Sequence, residues 1–292
     1  MRPTTITFPP EGIEPLGIIE FVHGMCETRK RYEKTLQYFS NCGFICAISD
    51  IKGHGENILT TDDLGYFGHE GYKGLVEDVH QFTMFLKREY PNLPLIIVGH
   101  SMGSFLTREY MALYGDKFDG AIFIGTGYVN PLLDFGISLA KYKAHKNPKQ
   151  RGELIDKIAF GAFNKKIDTA NTKFDWISTD SKIVEKYVND EKCGFLFTNE
   201  AYRDLFLLIK KVNSVKWAKS MPRNLPMLLI SGSDDPVGDF GKGVRKVYEM
   251  LKKAGCINVD IKLLHGVRHE ILNDIKREKV YAILYNWLEK NI

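Results

Sequence analysis

Short apolar runs rich in β-branched residues alternate along the chain with longer segments whose apolar residues recur at helical spacing. The runs are Ile18–Val22, Phe44–Ser49, Leu95–Val98, Ala121–Ile124, Met227–Ile230 and Val259–Leu264. Their length and composition predict strands. Between them, Leu75, Val79, Phe82 and Leu86 mark one face of a helix, as do Val244, Val247, Tyr248 and Leu251, and Val280, Ile283 and Trp287. Continuously apolar strands separated by helices predict an α/β fold with a mostly parallel central sheet covered on both faces. In such a sheet, functional side chains stand on loops at the carboxyl ends of the strands.

The alternation lapses between Tyr128 and Lys219. That stretch holds lysine-rich segments such as "KYKAHKNPKQR" and helical patterns such as Ala201, Leu205, Leu208 and Ile209. "MPRNLP" at Met221–Pro226 then marks the return to strand. The expected organisation is a core formed by residues 1–127 and 219–292, with a helical cap at 128–218 inserted over the strand ends. Phe195, Leu196 and Phe197 are the apolar cap residues expected above the site.

Composition removes several function classes. A chain of 292 residues suits one large domain carrying an insertion, with no need of disulfides or metal for its core. The net charge of +4 is too mild to imply nucleic acid, and no basic stripe alternates with aromatics. The opening "MRPTTITFPPEGIEP" lacks the apolar stretch of a signal peptide, and no run approaches the ~20 apolar residues of a membrane span. Five scattered cysteines fit reduced thiols and a cytoplasmic location. Cys42 and Cys46 have no second pair with which to hold zinc. "GTG" at Gly125–Gly127 lacks the third glycine of a dinucleotide loop, and "GDFGKGV" lacks the spacing of a P-loop.

The residues following each strand carry the chemistry. They are His23-Gly24-Met25-Cys26-Glu27, then Asp50 to Gly55, then Gly99-His100-Ser101-Met102-Gly103, then Ser231 to Pro236 with Asp234 and Asp235, then His265 to Glu270 with His269. Gly99-x-Ser101-x-Gly103 between a strand and a helix reads as a nucleophile elbow, whose glycines allow a strained turn and close strand–helix packing. A serine hydroxyl needs a base, histidine is the side chain suited to that near neutral pH, and a carboxylate fixes the imidazole tautomer. The oxyanion of acyl transfer needs two donors. The Met102 N–H is one, and the loop after the first strand supplies the other, expected from Met25. His23 and His54 are read as hydrogen-bonders shaping that loop, His100 as packing beside the nucleophile, and His265 as a neighbour of the strand end.

"VHGM" followed by Glu27 and Tyr32, "DIKGHGE" at Asp50–Glu56, "GHSMGS", "GSDDPVG" at Gly232–Gly238, "GVRHE" at Gly266–Glu270 and "NDEKCGFLFT" run along nearly the whole chain. Together they resemble the α/β-hydrolases of the monoglyceride lipase and lysophospholipase branch. The resemblance implies Ser101 as nucleophile, Asp235 as the acid and His269 as the base, with the Met25 and Met102 amides binding the oxyanion. It implies a lipid-like monoacyl ester as substrate and no cofactor. The lysines of the cap are read first as a solvated face, with transient membrane-surface contact through the cap as the lesser reading, and no nucleic-acid partner is expected from the charge. Thr28 and Glu56 depart from the residues usual in that branch, and neither is a catalytic position. Esterases of small soluble esters and peptidases share the fold. A hydrolase-fold binding protein would have no need of all three of serine, acid and histidine.

Overall fold

β2 (Gly17–Val22) and β4 (Leu95–His100) lie side by side, Val22 opposite Gly99, although the third strand falls between them in sequence. A computed structural model of the chain, describing residues 2–129, 131–167 and 170–292, shows a seven-stranded sheet built outward from that pair. β3 (Phe44–Ser49) flanks β2 on one side, and β5 (Gly120–Ile124), β6 (Met227–Gly232) and β7 (Val259–Leu264) follow β4 on the other. These six run parallel, as the apolar runs predict. β1 (Thr4–Thr7), which the sequence reading lacks, pairs antiparallel with β3 at the edge.

Burial follows from position. Every residue of β2, β4, β5 and β6 is buried. β7, at the other edge, alternates, with Asp260 and Lys262 exposed, the charged pattern that keeps an open edge from pairing with other chains.

The helices are α1 (Glu33–Asn41), α2 (Gly71–Glu89), α3 (Met102–Tyr114), α4 (Leu133–Lys146), α5 (Glu153–Phe160), α6 (Ser181–Asn189), α7 (Asn199–Val212), α8 (Val215–Ser220), α9 (Lys242–Lys253) and α10 (Arg277–Asn291). α2, α3 and α9 cover one face of the sheet through Leu75, Leu106 and Val247. α1 and α10 cover the other through Leu36 and Leu284. The chain leaves β2 towards β3 and later returns to β4 on the opposite side. That reversal opens a crevice at the carboxyl ends of β2 and β4, where open α/β sheets hold their ligands.

α4 to α8 form the inserted region between β5 and β6. α7 and α8 start on side-chain caps: Thr198 Oγ1 accepts from Ala201 N at 3.2 Å, and Ser214 Oγ accepts from Trp217 N at 3.1 Å. The expected span 128–218 includes Asn130, Asp168 and Thr169, which lie outside the described residues. α8 continues to Ser220, and Trp217 Nε1 donates to the Arg108 carbonyl of α3 at 2.8 Å.

Arg108 is fully buried, two turns along α3 from Ser101. Its guanidinium donates to Thr126 Oγ1 and the Gly127 carbonyl where the inserted region begins, and to the Val212 carbonyl and Asn213 Oδ1 where α7 ends. Burial brings its pKa down to about 9. The bonds to neutral acceptors and the Trp217 ring at 4.4 Å compensate a buried cation.

Candidate active site

Ser101 occupies the corner between β4 and α3 at φ 54° and ψ −122°, a conformation few non-glycine residues adopt. Its N–H donates to the Ile124 carbonyl of β5 at 2.9 Å, which holds the strained turn. The flanking glycines fulfil the close strand–helix packing expected of them, but not the strained backbone angle. The left-handed φ belongs to the serine, and the glycines serve close approach. A Cβ on Gly103 would lie 2.1 Å from the Val22 carbonyl oxygen, and one on Gly99 would lie 2.3 Å from Thr107 Oγ1. Two small residues therefore let α3 start directly against β2 and aim its N-terminus at the crevice.

The acidic and histidine loops emerge from adjacent strands, since Gly232 of β6 pairs with Leu264 of β7. His269 Nδ1 and Asp235 Oδ2 are 3.0 Å apart, and both residues are buried. Asp235 also accepts from Ser231 Oγ at 3.0 Å and from Val237 N at 2.9 Å. A carboxylate on Nδ1 sets the tautomer in which Nε2 is the basic nitrogen. Gly125, at φ +58°, makes room for the pair, because a Cβ there would lie 2.9 Å from His269 Cε1. That is the local use of the "GTG" segment. His265 is exposed and apart from this group. Trp176, from the inserted region, packs on His269 with ring centres 5.1 Å apart. Arg268 Nη1 binds the Asp175 and Ser178 carbonyls at 2.8 Å, fixing the histidine loop to that region.

Behind Ser101, His100 is buried and its Nδ1 lies 2.9 Å from Glu27 Oε1. Burial disfavours both charges. The hydrogen bond to His100 and the charges of His100 and Arg31 outweigh it and hold the Glu27 carboxyl well below its usual range. His100 is correspondingly raised: burial opposes its charge, and the bond to Glu27 prevails. The His100 ring packs against that of His269, tilted by 41° with ring centres 4.8 Å apart. His23 accepts at Nε2 from Ile51 N, so its protonated Nδ1 donates to the Gly24 carbonyl at 2.9 Å. Burial lowers its pKa and keeps it neutral. His54 is likewise pushed down, to about 3, by burial. It sits among Phe67, Phe195 and Phe197.

Gly24 and Met25 border Ser101 closely: a Cβ on Gly24 would lie 3.0 Å from Ser101 Cβ. Among the described residues, the Met25 and Met102 N–H groups donate to no protein acceptor. They are therefore available to an oxygen in the crevice.

Gly24, Met25, Ser101, Met102 and His269 line a cavity of about 890 Å³, within the ~300–1,000 Å³ of small-molecule sites. The inserted region supplies apolar walls, among them Leu133, Ile155, Phe160, Phe195 and Phe206. Leu196 also lines the cavity. Phe197 does not: it is fully buried against His54 and Phe67, in the seam between the inserted region and the core.

Residues 13–276 match the family described as serine aminopeptidase, S33. A monoglyceride lipase homolog of Monkeypox virus is 25% identical over 285 residues, covering 94% of this chain and 90% of that protein. The monoacylglycerol lipase of Mycolicibacterium smegmatis is 25% identical over 294 residues, covering 96% and 90%. A solved structure of a highly thermostable carboxyl esterase from Bacillus coagulans, in complex with glycerol, superposes with a TM-score of 0.93 at 29% identity, covering 99% of this chain and 93% of that one. That likeness takes in α4 to α8 as well as the sheet.

Proposed function

The chain belongs to the serine aminopeptidase S33 family of α/β-hydrolases, and on that premise we propose that it cleaves lipid-like monoacyl esters through a covalent acyl-enzyme on Ser101. The observation that carries the proposal is the buried Asp235–His269 pair, 3.0 Å apart, beside a serine held at a strained strand–helix corner on the floor of an apolar cavity. In the proposed reaction His269 Nε2 takes the Ser101 proton as Oγ adds to the ester carbonyl. The charge that forms on the carbonyl oxygen is met by the Met25 and Met102 N–H groups and by the N-terminus of α3. His269, now an imidazolium stabilised by Asp235, protonates the departing alcohol. Water, activated by the same histidine, then releases the acid.

The apolar walls and the two 25%-identical relatives named for monoacylglycerol support a long acyl chain with a small alcohol. The 29%-identical carboxyl esterase supports a second reading, a shorter acyl chain at the same site. Phe135 and Tyr142 on α4 and Leu154 and Ile158 on α5 are exposed among lysines, which supports transient contact of the inserted region with a lipid surface. No helix among the described residues is long and apolar enough to cross a membrane.

The deciding experiment is labelling with a fluorophosphonate followed by peptide mapping. The label is expected on Ser101 and is expected to disappear in a folded Ser101→Ala variant that has lost ester turnover. Label at another residue, or undiminished turnover in Ser101→Ala, would overturn the proposal.

A further inference from the structure

The proposed reaction requires the loops after β2, β4 and β7 to keep their spacing. One buried carboxylate, assigned no part in that chemistry, contacts two of these loops and reaches the third. Glu27 Oε1 accepts from the Gly24 N–H at 2.5 Å, from His100 Nδ1 at 2.9 Å and from Tyr32 Oη at 3.0 Å. Glu27 Oε2 accepts from Arg31 Nη1 at 3.1 Å. Arg31 also binds both carboxylate oxygens of Glu270, which follows His269 in the chain. Glu27 is 2% exposed, and a Cβ on Gly24 would lie 2.7 Å from its Oε1.

Gly24 lies immediately before the amide expected to meet the oxyanion. Its N–H is held by Glu27 and its carbonyl by His23 Nδ1. A peptide unit is planar, with its N–H pointing opposite to the carbonyl of the preceding residue. The Gly24 carbonyl shares its peptide plane with the Met25 N–H, and the Gly24 N–H belongs to the plane before it, so holding both leaves this glycine no free rotation and fixes the direction of the Met25 N–H. Glycine has the widest conformational range of any residue, so without these holds the Met25 N–H would sample many directions. Oxyanion donors contribute to rate to the extent that they are aimed in advance. A buried ion pair gives little net stability over apolar packing of the same volume, so stability alone is a weak reason for one at this place.

We propose that Glu27 is a positioning residue: it aims the Met25 amide by holding Gly24, and it ties that loop to the nucleophile through His100 and to the histidine loop through Arg31 and Glu270. The inference rests on the serine-hydrolase reading given above.

The test is Glu27→Gln, which keeps the shape. A carboxamide has one oxygen acceptor where the carboxylate has two, so either the Gly24 side or the Arg31 side loses its partner. Steady-state kinetics on a p-nitrophenyl ester are compared with inhibition by an alkyl boronic acid, whose serine adduct is tetrahedral like the intermediate. We expect kcat to fall roughly tenfold to a hundredfold, KM to stay within about threefold, and the boronate inhibition constant to rise in step with the loss in kcat. A role in packing alone would lower the melting temperature and leave kcat and boronate affinity of the folded enzyme within about twofold, and that result would overturn the inference. Should Glu27→Gln fail to fold, Tyr32→Phe removes one donor from the same oxygen. A parallel loss of about threefold or more in kcat and boronate affinity, at unchanged KM, supports the inference, and no change in either overturns it. Fluorophosphonate mapping of the unmodified protein separates the two levels. Without label on Ser101 the serine-hydrolase reading fails and this inference with it. With the label present and Glu27→Gln at full kcat, this inference alone fails.

Discussion

Asp235 Oδ2 stands 3.0 Å from His269 Nδ1, while Asp234, its neighbour in the chain, is exposed and accepts a hydrogen bond from Ser233 Oγ at 2.7 Å. Adjacent carboxylates on one turn thus meet opposite environments. Pro236 disfavours the helical region for the residue before it and so biases Asp235 towards an extended conformation, and the Val237 N–H and Ser231 Oγ hold its oxygens. Asparagine at this position keeps the shape but favours the wrong histidine tautomer, a change that costs a serine protease about 10⁴ in kcat. Asp235→Asn is expected to lower kcat by about 10²–10⁴, and Asp234→Asn by less than about tenfold. Assaying the two variants side by side checks this, and the reverse ranking would move the acid by one residue.

Gly103 gives a prediction about close approach. An alanine Cβ would lie 2.1 Å from the Val22 carbonyl oxygen and 2.5 Å from that of His23, and both obstacles are backbone. α3 must move away from β2, carrying Ser101 and the Met102 N–H with it. Gly103→Ala is expected to destabilise the fold by about 1–3 kcal/mol and, because a shift of about 1 Å can cost 10²-fold, to lower kcat/KM by about a hundredfold. Thermal melts beside kinetics test it. A stable variant with full activity would show that the elbow tolerates a side chain there.

The cavity walls lead to a prediction about acyl length. A methylene moved from water to an apolar wall contributes up to ~0.8 kcal/mol, about fourfold in kcat/KM. A series of p-nitrophenyl esters from acetate to decanoate is therefore expected to rise before levelling off where the cavity of about 890 Å³ is filled. Acetate as the best substrate would favour the short-chain reading.

Much of this architecture is written locally. Five of the six parallel strands are visible because each is buried on both faces or nearly so, which demands a largely apolar run, whereas β7, at an edge, shows through the alternation of Val259, Ile261 and Leu263 with Asp260 and Lys262. β1 escapes because "TTIT" is half-buried at an edge and needs no such run. Ser101, Asp235 and His269 are legible as reactive residue types at strand ends, since a parallel sheet gathers those ends on one side. The Arg31–Glu270 pair joins residues 239 apart in the chain, and no local spacing encodes it. Trp176 on His269 is hidden for the same reason, lying in a helical insertion whose path over the sheet depends on packing. Phe197 is expected with Phe195 and Leu196 above the strand ends, but the segment leading into α7 places it inward instead, onto His54 and Phe67.

Glu20 yields a prediction about stability and pH. It lies on the central strand β2, 1% exposed, and its carboxyl accepts from Thr83 Oγ1 of α2 at 2.6 Å. Burial raises its pKa to about 8, with the Thr83 bond pulling weakly the other way. In the unfolded chain the same carboxyl ionises near its ordinary value of 4.5. Between those two pH values the folded state binds a proton that the unfolded state has released, so stability falls as pH rises from about 4.5 to about 8 and is level beyond. Each pH unit is worth about 1.4 kcal/mol, which makes the loss on the order of 3 kcal/mol by pH 7. Glu20→Gln cannot ionise and still offers Thr83 an acceptor, though its buried amide protons want partners and cost about 1–3 kcal/mol at every pH. The absolute stabilities of the two proteins are thus set by competing effects, and the informative quantity is their difference as a function of pH. Urea denaturation from pH 4.5 to pH 8.5 is expected to show that difference moving in favour of Glu20→Gln by about 3 kcal/mol or more, nearly all of it below pH 8. Parallel curves would mean that Glu20 carries the same charge in the folded and unfolded chains across this range.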